Sequence, residues 1–225
     1  MNPASDEARR EVVEVCRALD AAGLMPNKSG NVSCRTAAGF LVTPSGVPYA
    51  EVTPALLVEL PLDATQEPAV GPRPSSEWRM HRAIYQARPG VDAIVHTHSP
   101  RATALACAGR GLPAFHYMIA LAGGDVRCVP YATFGTDELA GHALHGLEGR
   151  RAVLLANHGV VTVGTSPRRA MAVAVEVENM AGQYLDLLAA GMPPRVLGVS
   201  RNTVVLRSEE RRVGKERRSR WSPYH

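Results

Sequence analysis

The sequence predicts a single α/β or α+β domain in which helices pack on one sheet. The chain has 225 residues, of which 45% are apolar and 20% charged, and this balance is typical of a folded globular domain. Helix-like and strand-like segments mingle along the chain. Residues 5–22 and 167–189 carry apolar side chains at helical spacing, whereas residues 92–98 are an apolar run ending in His-Thr-His, most simply a buried strand.

The first half of the chain is predicted to alternate helices and short strands. In order, we expect a helix over residues 5–22, strands over 31–35 and 40–43, a turn-rich segment over 44–48, a helix over 77–87 and a strand over 92–98. Ser5 is a suitable N-cap for the first helix, and Gly23 can end it. A proline-rich loop separates the turn-rich segment from the second predicted helix.

The second half of the chain continues this pattern up to residue 190. Residues 100–108 and 136–148 are further helix candidates, and residues 151–163 are strand-like. The long helix predicted over residues 167–189 begins with Pro167, which is tolerated in a first helical turn. The periodic pattern dissolves beyond Gly191.

The charge of the chain is concentrated at one end. The formal net charge is +4, but the last nineteen residues carry seven basic and three acidic side chains, which leaves eighteen of each in residues 1–206. A neutral body does not predict a basic stripe across the fold, so we expect no nucleic acid as partner.

Other classes of protein are excluded by length and composition. No apolar run approaches the ~20 residues that cross a bilayer, so we expect no membrane span. The first fifteen residues are charged from Asp6 and lack the apolar core of a secretory signal. The four cysteines are scattered without a CxxC pair, which indicates reduced thiols and predicts a cytoplasmic protein.

His96 and His98 form a candidate metal half-site at the end of the predicted strand. Residues two apart on a strand point to the same face, so both imidazoles can meet one ion. The alternative is a pair of surface histidines where the strand leaves the core.

His158 strengthens the metal hypothesis because it also follows an apolar run, at Val153-Leu154-Leu155. Catalytic zinc takes three protein ligands and leaves a position for water or substrate. Two histidines from one strand and one from another match that number. The alternative is that His158 is only a turn residue before Gly159. The remaining histidines are weaker candidates.

Glu77 directly follows Ser75 and Ser76 at a predicted helix start. Three such residues form a good helix N-terminus in any protein. The functional alternative is that the serine hydroxyls and backbone N–H groups bind a phosphate, with Glu77 beside it as a base. The loops Gly30-Asn31 and 43–46 contain small residues with free backbone N–H groups and can supply matching donors.

In combination, these residues resemble the class II aldolase/adducin family. The resemblance runs from about residue 5 to about residue 190, and its motifs occur in the family's order. The motifs are Gly30-Asn31-Val32-Ser33, Thr43-Pro44-Ser45-Gly46, Ser75-Ser76-Glu77-Trp78-Arg79, His96-Thr97-His98 and Asn157-His158-Gly159. The stretch from His116-Tyr117-Met118-Ile119 to residues 130–136 looks most like the branch that acts on L-fuculose 1-phosphate.

The resemblance implies a fold, an assembly and a set of site residues. The fold would be a three-layer α/β/α arrangement around a largely antiparallel sheet, in a homotetramer with active sites between subunits. His96, His98 and His158 would bind Zn²⁺, or another divalent metal, with Glu77 as a further ligand and as the catalytic base. Tyr117 of the adjacent subunit would donate a proton. The implied phosphate-binding residues are Gly30, Asn31, Ser45, Gly46, Ser75 and Ser76.

The resemblance also implies a reaction. The enzyme would reversibly cleave a ketose 1-phosphate, such as L-fuculose 1-phosphate or a related deoxy-sugar phosphate, into dihydroxyacetone phosphate and an aldehyde such as lactaldehyde. The alternatives are another sugar-phosphate enzyme on the same scaffold (a 4-epimerase, dehydratase or decarboxylase) and a non-catalytic, adducin-like interaction protein. The presence of all three histidines and Glu77 argues against the non-catalytic alternative.

The C-terminus departs from the family. We expect the domain to span residues 1–206 and residues 207–225 to form a basic, disordered tail that is not native to the family, because the tail has almost no apolar side chains to bury. A basic arm that binds nucleic acid is the alternative reading of this tail.

Overall fold

The computed structural model describes residues 3–197, and seven strands within this range form one sheet. The helices are α1 (Pro3–Ala21), α2 (Trp78–Ala87), α3 (Pro100–Cys107), α4 (Asp137–Gly146) and α5 (Pro167–Ala189). The strands are β1 (Gly30–Arg35), β2 (Phe40–Val42), β3 (Val58–Leu60), β4 (Ala93–Thr97), β5 (Arg127–Val129), β6 (Ala152–Leu155) and β7 (Gly159–Gly164). Short 3₁₀ turns lie at Pro26–Lys28, Tyr49–Glu51, Pro54–Leu56 and Tyr117–Ala122.

The sheet is largely antiparallel, with the order β3-β2-β1-β4-β7-β6-β5. Within the described residues, β5 and β6 are the only parallel pair. β4 lies at the centre of the sheet, between β1 and β7, and helices cover both of its faces. All five of its residues are therefore buried. The predicted fold class, three layers around a largely antiparallel sheet, is confirmed.

Helices cover both faces of the sheet. On one face, α2 and α4 pack over a core that includes Trp78, Ile94 and Val161. On the other face, α1, α3 and α5 pack over two further clusters, one of which contains Val95. Ile94 and Val95 are neighbours on β4 and point to opposite faces of the sheet. Because both faces are covered by apolar cores, consecutive residues of this strand are apolar rather than alternating with polar ones.

The register of the central strands brings several predicted motifs to one end of the sheet. Asn31 of β1 is paired with His96 of β4, and His96 is paired with Val161 of β7. β6 and β7 form a hairpin whose turn contains His158, and Asn157 in this turn has a φ of 55°. Asparagine is among the residues that tolerate this left-handed conformation best.

Some predicted elements differ from those observed. The strand-like segment 151–163 is two strands, because the turn at Asn157 and His158 interrupts it. The first helix begins at Pro3, so Ser5 lies inside it rather than at its cap. Glu77 is the N-cap of α2 rather than its first residue. β3 and β5 were not predicted, since each has only three residues and too little sequence to show a period.

The C-terminal predictions cannot be compared with the structure. The boundary at residue 206 and the tail over residues 207–225 lie outside the described residues. Among the residues that are described, no helix is both long and apolar enough to span a membrane.

The contact between α4 and the sheet requires a glycine. A Cβ atom at Gly146 would overlap Cγ2 of Val153 and lie 2.7 Å from Cγ1 of Val129. We expect Gly146→Ala to lower the free energy of unfolding by about 1–3 kcal/mol, as overpacking does in other cores. The matched control is Gly141→Ala in the same helix, where a Cβ has no atom within 4 Å. Urea denaturation of both variants measures their free energies of unfolding. Equal values for the two variants would contradict the close contact described for Gly146.

Candidate functional site

Four potential metal ligands converge at the end of the central strands. One ligand atom from each of Glu77, His96, His98 and His158 lies within 4.8 Å of the other three. Glu77 Oε2 is 3.0 Å from His96 Nε2, and Glu77 Oε1 is 3.3 Å from His158 Nε2. The two Nε2 atoms of His96 and His98 are 2.9 Å apart. The structure therefore brings together the four residues that the sequence suggested as ligands.

The three imidazole rings face a common point. Their centroids are 4.8–4.9 Å apart in every pair, and their planes are 74–88° to one another. His96 Nδ1 lies 3.0 Å from the carbonyl oxygen of Val160, which can only accept a hydrogen bond. His96 therefore donates from Nδ1 and directs Nε2 to the cluster, the arrangement that usually orients a metal-binding histidine.

Gly159 allows this close packing. A Cβ at this position would lie 2.5 Å from the carbonyl oxygen of Thr97, 3.1 Å from Cδ2 of His98 and 3.3 Å from Cε1 of His96. A side chain at residue 159 would therefore push two of the three histidines out of place. The Asn157-His158-Gly159 motif thus supplies one member of the cluster and the space for the other two.

Burial and neighbouring charges act differently on the members of the cluster. Burial lowers the pKa of His98 to about 3 and that of His158 to about 4, and the charge on His96 adds to both effects. These two imidazoles are therefore neutral at pH 7, and neutral imidazole is the form that binds metals. Burial also opposes charge on Glu77 and His96, but their mutual attraction outweighs it. It holds the pKa of Glu77 well below its usual range and raises the pKa of His96.

The donor set fits a divalent metal. Three imidazole nitrogens and one carboxylate oxygen are the ligand types of catalytic zinc sites. At Zn–N distances of about 2.1 Å, tetrahedral ligand atoms lie about 3.4 Å from one another, which is close to the separations found here. The Nε2 atoms of His96 and His98 also face each other beside the carboxylate of Glu77, which is only 6% exposed. A cation bound by all three groups would fit this arrangement.

A pocket of about 310 Å³ opens beside the cluster. All six predicted phosphate-binding residues line it, and so do Glu77, His98 and His158. The loops that carry the phosphate-binding residues are tied together by backbone hydrogen bonds: Ser75 N–H donates to the Thr43 carbonyl (3.0 Å), and Ser45 N–H donates to the Arg73 carbonyl (2.9 Å). The structure therefore assembles the three small-residue loops around one cavity.

Asn31 links the pocket to the cluster. Its side-chain Nδ2 donates a hydrogen bond to Glu77 Oε2 (3.1 Å), and Asn31 is only 2% exposed. An amide nitrogen carries two hydrogens, so one remains for another acceptor. Sequence reasoning placed Asn31 at the phosphate alone and did not predict its contact with Glu77.

Tyr117 does not reach this pocket within the described chain. It begins the 3₁₀ turn Tyr117–Ala122, and 59% of its surface is exposed. Its hydroxyl is not among the groups lining the pocket. This position is compatible with the expected contribution to a neighbouring subunit.

Several residues that line the pocket were not predicted as site residues. These are chiefly Lys28, Tyr49, Tyr131 and Phe134. Tyr49 donates a hydrogen bond to the Gly30 carbonyl (2.8 Å) and so fixes the first loop. Phe134 is 63% exposed despite being a large apolar side chain. The only sequence signal for Lys28 is its place two residues before Gly30. Tyr131 and Phe134 lie in the stretch 130–136 that carries part of the family resemblance, whereas Tyr49 gave no signal.

Comparison with known proteins identifies a family. A family model described as "Class II Aldolase and Adducin N-terminal domain" matches residues 10–185. The 5-methylthioribulose-1-phosphate/5-deoxyribulose-1-phosphate aldolase of Rhodospirillum rubrum is 46% identical over 187 residues, which cover 82% of this chain and 83% of that protein. The L-fuculose phosphate aldolase of Escherichia coli K12 is 42% identical over 198 residues, covering 88% of this chain and 91% of that protein.

The three-dimensional comparison agrees with the sequence comparison. A solved structure of an L-fuculose 1-phosphate aldolase superposes with a TM-score of 0.85 and 38% sequence identity, covering 91% of this chain and 96% of that chain. A second, the L-fuculose-1-phosphate aldolase from Thermus thermophilus, has a TM-score of 0.73 and 31% identity, covering 84% of this chain and 98% of that chain.

Proposed function

Because the chain belongs to the class II aldolase and adducin family, we propose that it is a metal-dependent aldolase of sugar phosphates. The reaction is the reversible cleavage of a ketose 1-phosphate to dihydroxyacetone phosphate and an aldehyde. L-Fuculose 1-phosphate, which gives lactaldehyde, is one candidate substrate, and related deoxy-sugar phosphates are others. The enzyme would work as a homotetramer in the cytoplasm, where its four free cysteines stay reduced.

The observation that carries this proposal is the convergence of Glu77, His96, His98 and His158 within 4.8 Å beside a pocket of about 310 Å³. These four residues would hold Zn²⁺ or another divalent metal. When bound, the metal supplies a Lewis acid that stabilises the negative charge developing on substrate oxygens as the carbon–carbon bond breaks. The remaining catalytic work falls to side chains of the protein.

Glu77 is the proposed acid–base residue. Its carboxylate contacts His96 and His158 and lines the pocket, and it is ionised at neutral pH, which is the form that can accept a proton. The proton moves between this carboxylate and the carbon of the dihydroxyacetone phosphate fragment from which the aldehyde departs. The hydrogen bond from Asn31 Nδ2 to Oε2 holds the carboxylate in place.

The small-residue loops are the proposed phosphate site. Gly30, Asn31, Ser45, Gly46, Ser75 and Ser76 line the pocket, where short side chains leave room for an anion and serine hydroxyls can donate to it. The backbone N–H groups of Ser45 and Ser75 donate to carbonyls within the loops and are not available to the phosphate, contrary to the expectation from sequence. Binding the phosphate there positions the reacting bond next to Glu77, and such positioning lowers the entropic part of the barrier. Ser75 and Ser76 lie just before α2, where the helix dipole also favours an anion.

In the condensation direction, Tyr117 is the proposed proton donor to the aldehyde oxygen, acting from a neighbouring subunit; in cleavage the same side-chain oxygen takes this proton back from the substrate hydroxyl. Two features support this role: the phenol is exposed, and its own chain's pocket does not contain it. A phenolic hydroxyl can donate its proton to an oxygen that gains negative charge. Two exposed aromatic residues at the pocket, Tyr131 and Phe134, offer apolar surface for the aldehyde part of the substrate.

A cleavage assay over a panel of ketose 1-phosphates tests the proposed function. With Zn²⁺ present, release of dihydroxyacetone phosphate is measured from L-fuculose 1-phosphate, 5-deoxyribulose 1-phosphate and 5-methylthioribulose 1-phosphate. We expect at least one of them to be cleaved, at a kcat/KM at least about 100-fold above that of unphosphorylated L-fuculose, whose cleavage is followed by the release of lactaldehyde, since phosphate binding supplies the positioning. Epimerised or dehydrated products without cleavage would assign the chain to another reaction on this scaffold.

A further inference from the structure

The pocket is lined by a single lysine or arginine side chain. Among the described residues that line it, Lys28 is the one with an ammonium group and Glu77 is the one with a carboxylate. A phosphate ester carries nearly two negative charges, whereas the loop residues offer only neutral N–H and O–H donors. The loops alone would therefore bind the phosphate without a positive charge to balance it.

The ammonium group of Lys28 is available for a ligand. Lys28 is exposed, and within residues 3–197 its side chain makes no hydrogen bond or ion pair with the protein. It lies in the chain directly before Ser29, Gly30 and Asn31, which line the same pocket. Lys28 and the proposed phosphate-binding residues Gly30 and Asn31 therefore line one cavity.

The backbone at Lys28 adopts a conformation that its residue type disfavours. Asn27 and Lys28 have φ values of 54° and 62°, so two consecutive residues are left-handed. Asparagine tolerates this region, whereas a lysine there costs about 1–2 kcal/mol. Such conformations persist only where the surroundings impose them, and they are frequent at ligand-binding loops.

The surroundings of the turn do impose this conformation. Ser29 N–H donates to the Pro26 carbonyl (3.0 Å) and closes the turn. Met25, which is 1% exposed, anchors the turn in the core before Pro26. Gly30 follows with a φ of 128°, and a Cβ there would lie 2.7 Å from the His96 carbonyl oxygen. The backbone of Lys28 is thus fixed at both ends relative to the histidine cluster, while its long side chain remains free.

We propose that Lys28 binds the substrate phosphate and sets the preference of this site for phosphorylated over unphosphorylated ligands. This role rests on the proposed function, because it deepens the assignment of the same pocket. The lysine acts by charge and not by covalent chemistry. An arginine at this position should therefore retain phosphate binding, whereas a neutral side chain of similar length should not.

The test compares Lys28→Met with Lys28→Arg and with a matched control, Arg10→Met. Arg10 is an exposed cation on α1 that lines a different surface cleft, so its removal changes the net charge equally. Calorimetry on the metal-loaded protein measures the Kd of dihydroxyacetone phosphate, and metal content is measured for each variant. The assay for kcat and KM uses a ketose 1-phosphate that the wild type cleaves.

We expect Lys28→Met to raise the Kd of dihydroxyacetone phosphate and the KM about tenfold, as loss of one hydrogen bond to a charged group does, with kcat within threefold. The Kd and KM of Lys28→Arg should stay within about threefold of the wild-type values, and those of Arg10→Met should equal the wild-type values. All variants should retain the metal. Equal Kd values for Lys28→Met and the wild type would overturn the role of Lys28.

The calorimetric arm separates this inference from the proposed function. A wild type that binds dihydroxyacetone phosphate through Lys28 but cleaves no ketose 1-phosphate would refute the aldolase and leave the phosphate contact standing. Equal cleavage of the substrate by the wild type and by the Lys28→Met variant would refute only the contact. A wild type that does not bind dihydroxyacetone phosphate would overturn both.

Discussion

Replacing Glu77 with glutamine is expected to lower the rate of aldol cleavage by about 10³-fold while the metal and the fold are retained. Glutamine has nearly the same shape, so it fills the same buried position and can still contact His96 and His158. Its amide, however, does not accept a proton at neutral pH. The three histidines that remain are enough to hold a divalent metal.

The control for this variant is Glu51→Gln, which makes the same chemical change at an exposed carboxylate in the turn Tyr49–Glu51. Cleavage is measured by release of dihydroxyacetone phosphate, metal content by elemental analysis, and folding by circular dichroism. The control is expected to behave as the wild type. A Glu77→Gln enzyme that cleaves substrate at the wild-type rate would remove Glu77 from the mechanism.

Replacing His158 with alanine is expected to weaken metal binding by more than about 100-fold and to reduce cleavage to background. Loss of an outer-shell partner alone costs about 10–100-fold in metal affinity, and His158 is a proposed direct ligand. The substitution should leave the fold intact, since His158 lies in the turn between β6 and β7 and not in the sheet.

The matched control is His145→Ala, which removes an exposed histidine on α4. That side chain makes one surface ion pair with Glu148, and such pairs contribute about 0–1 kcal/mol. Calorimetric titration of Zn²⁺ into metal-stripped protein gives the affinities. If His158→Ala and His145→Ala bind Zn²⁺ equally well, His158 is not a ligand.

The sequence predicted the parts of the fold that have long periodic patterns. The helix α5 and the strand β4 were found at nearly the observed bounds because the helical repeat and the apolar run are each distinctive. The three-residue strands β3 and β5 were missed because their existence depends on pairing with distant strands. Residues 151–163 were predicted as one strand-like segment, and the β6–β7 turn was anticipated only in the alternative interpretation of His158 as a turn residue before Gly159.

The site shows a similar division. His96 and His98 could be grouped from their spacing on one strand, but their meeting with His158 and Glu77 depends on the β4–β7 pairing and on the packing of α2. The hydrogen bond from Asn31 to Glu77 joins residues 46 apart in sequence and could not be predicted locally. Lys28 was overlooked because a single lysine in a loop is usually a solvated surface residue.

The distribution of charge now has a structural counterpart. The formal net charge of +4 lies in the last nineteen residues, whereas the pocket contains one ammonium group and one carboxylate. Affinity for a phosphorylated sugar would thus come from a few local groups: one metal, polar groups of the three small-residue loops and Lys28. The net charge of the chain is not needed to explain binding of a phosphorylated sugar.

The most direct test of the central claim is the metal dependence of carbon–carbon bond cleavage. Dihydroxyacetone phosphate is measured as it is released from the best substrate of the panel, first after chelation of divalent metals and then after Zn²⁺ is restored at one equivalent per subunit. We expect release to fall to background on chelation and to recover with Zn²⁺. Release that continues undiminished in the metal-stripped protein would contradict the account.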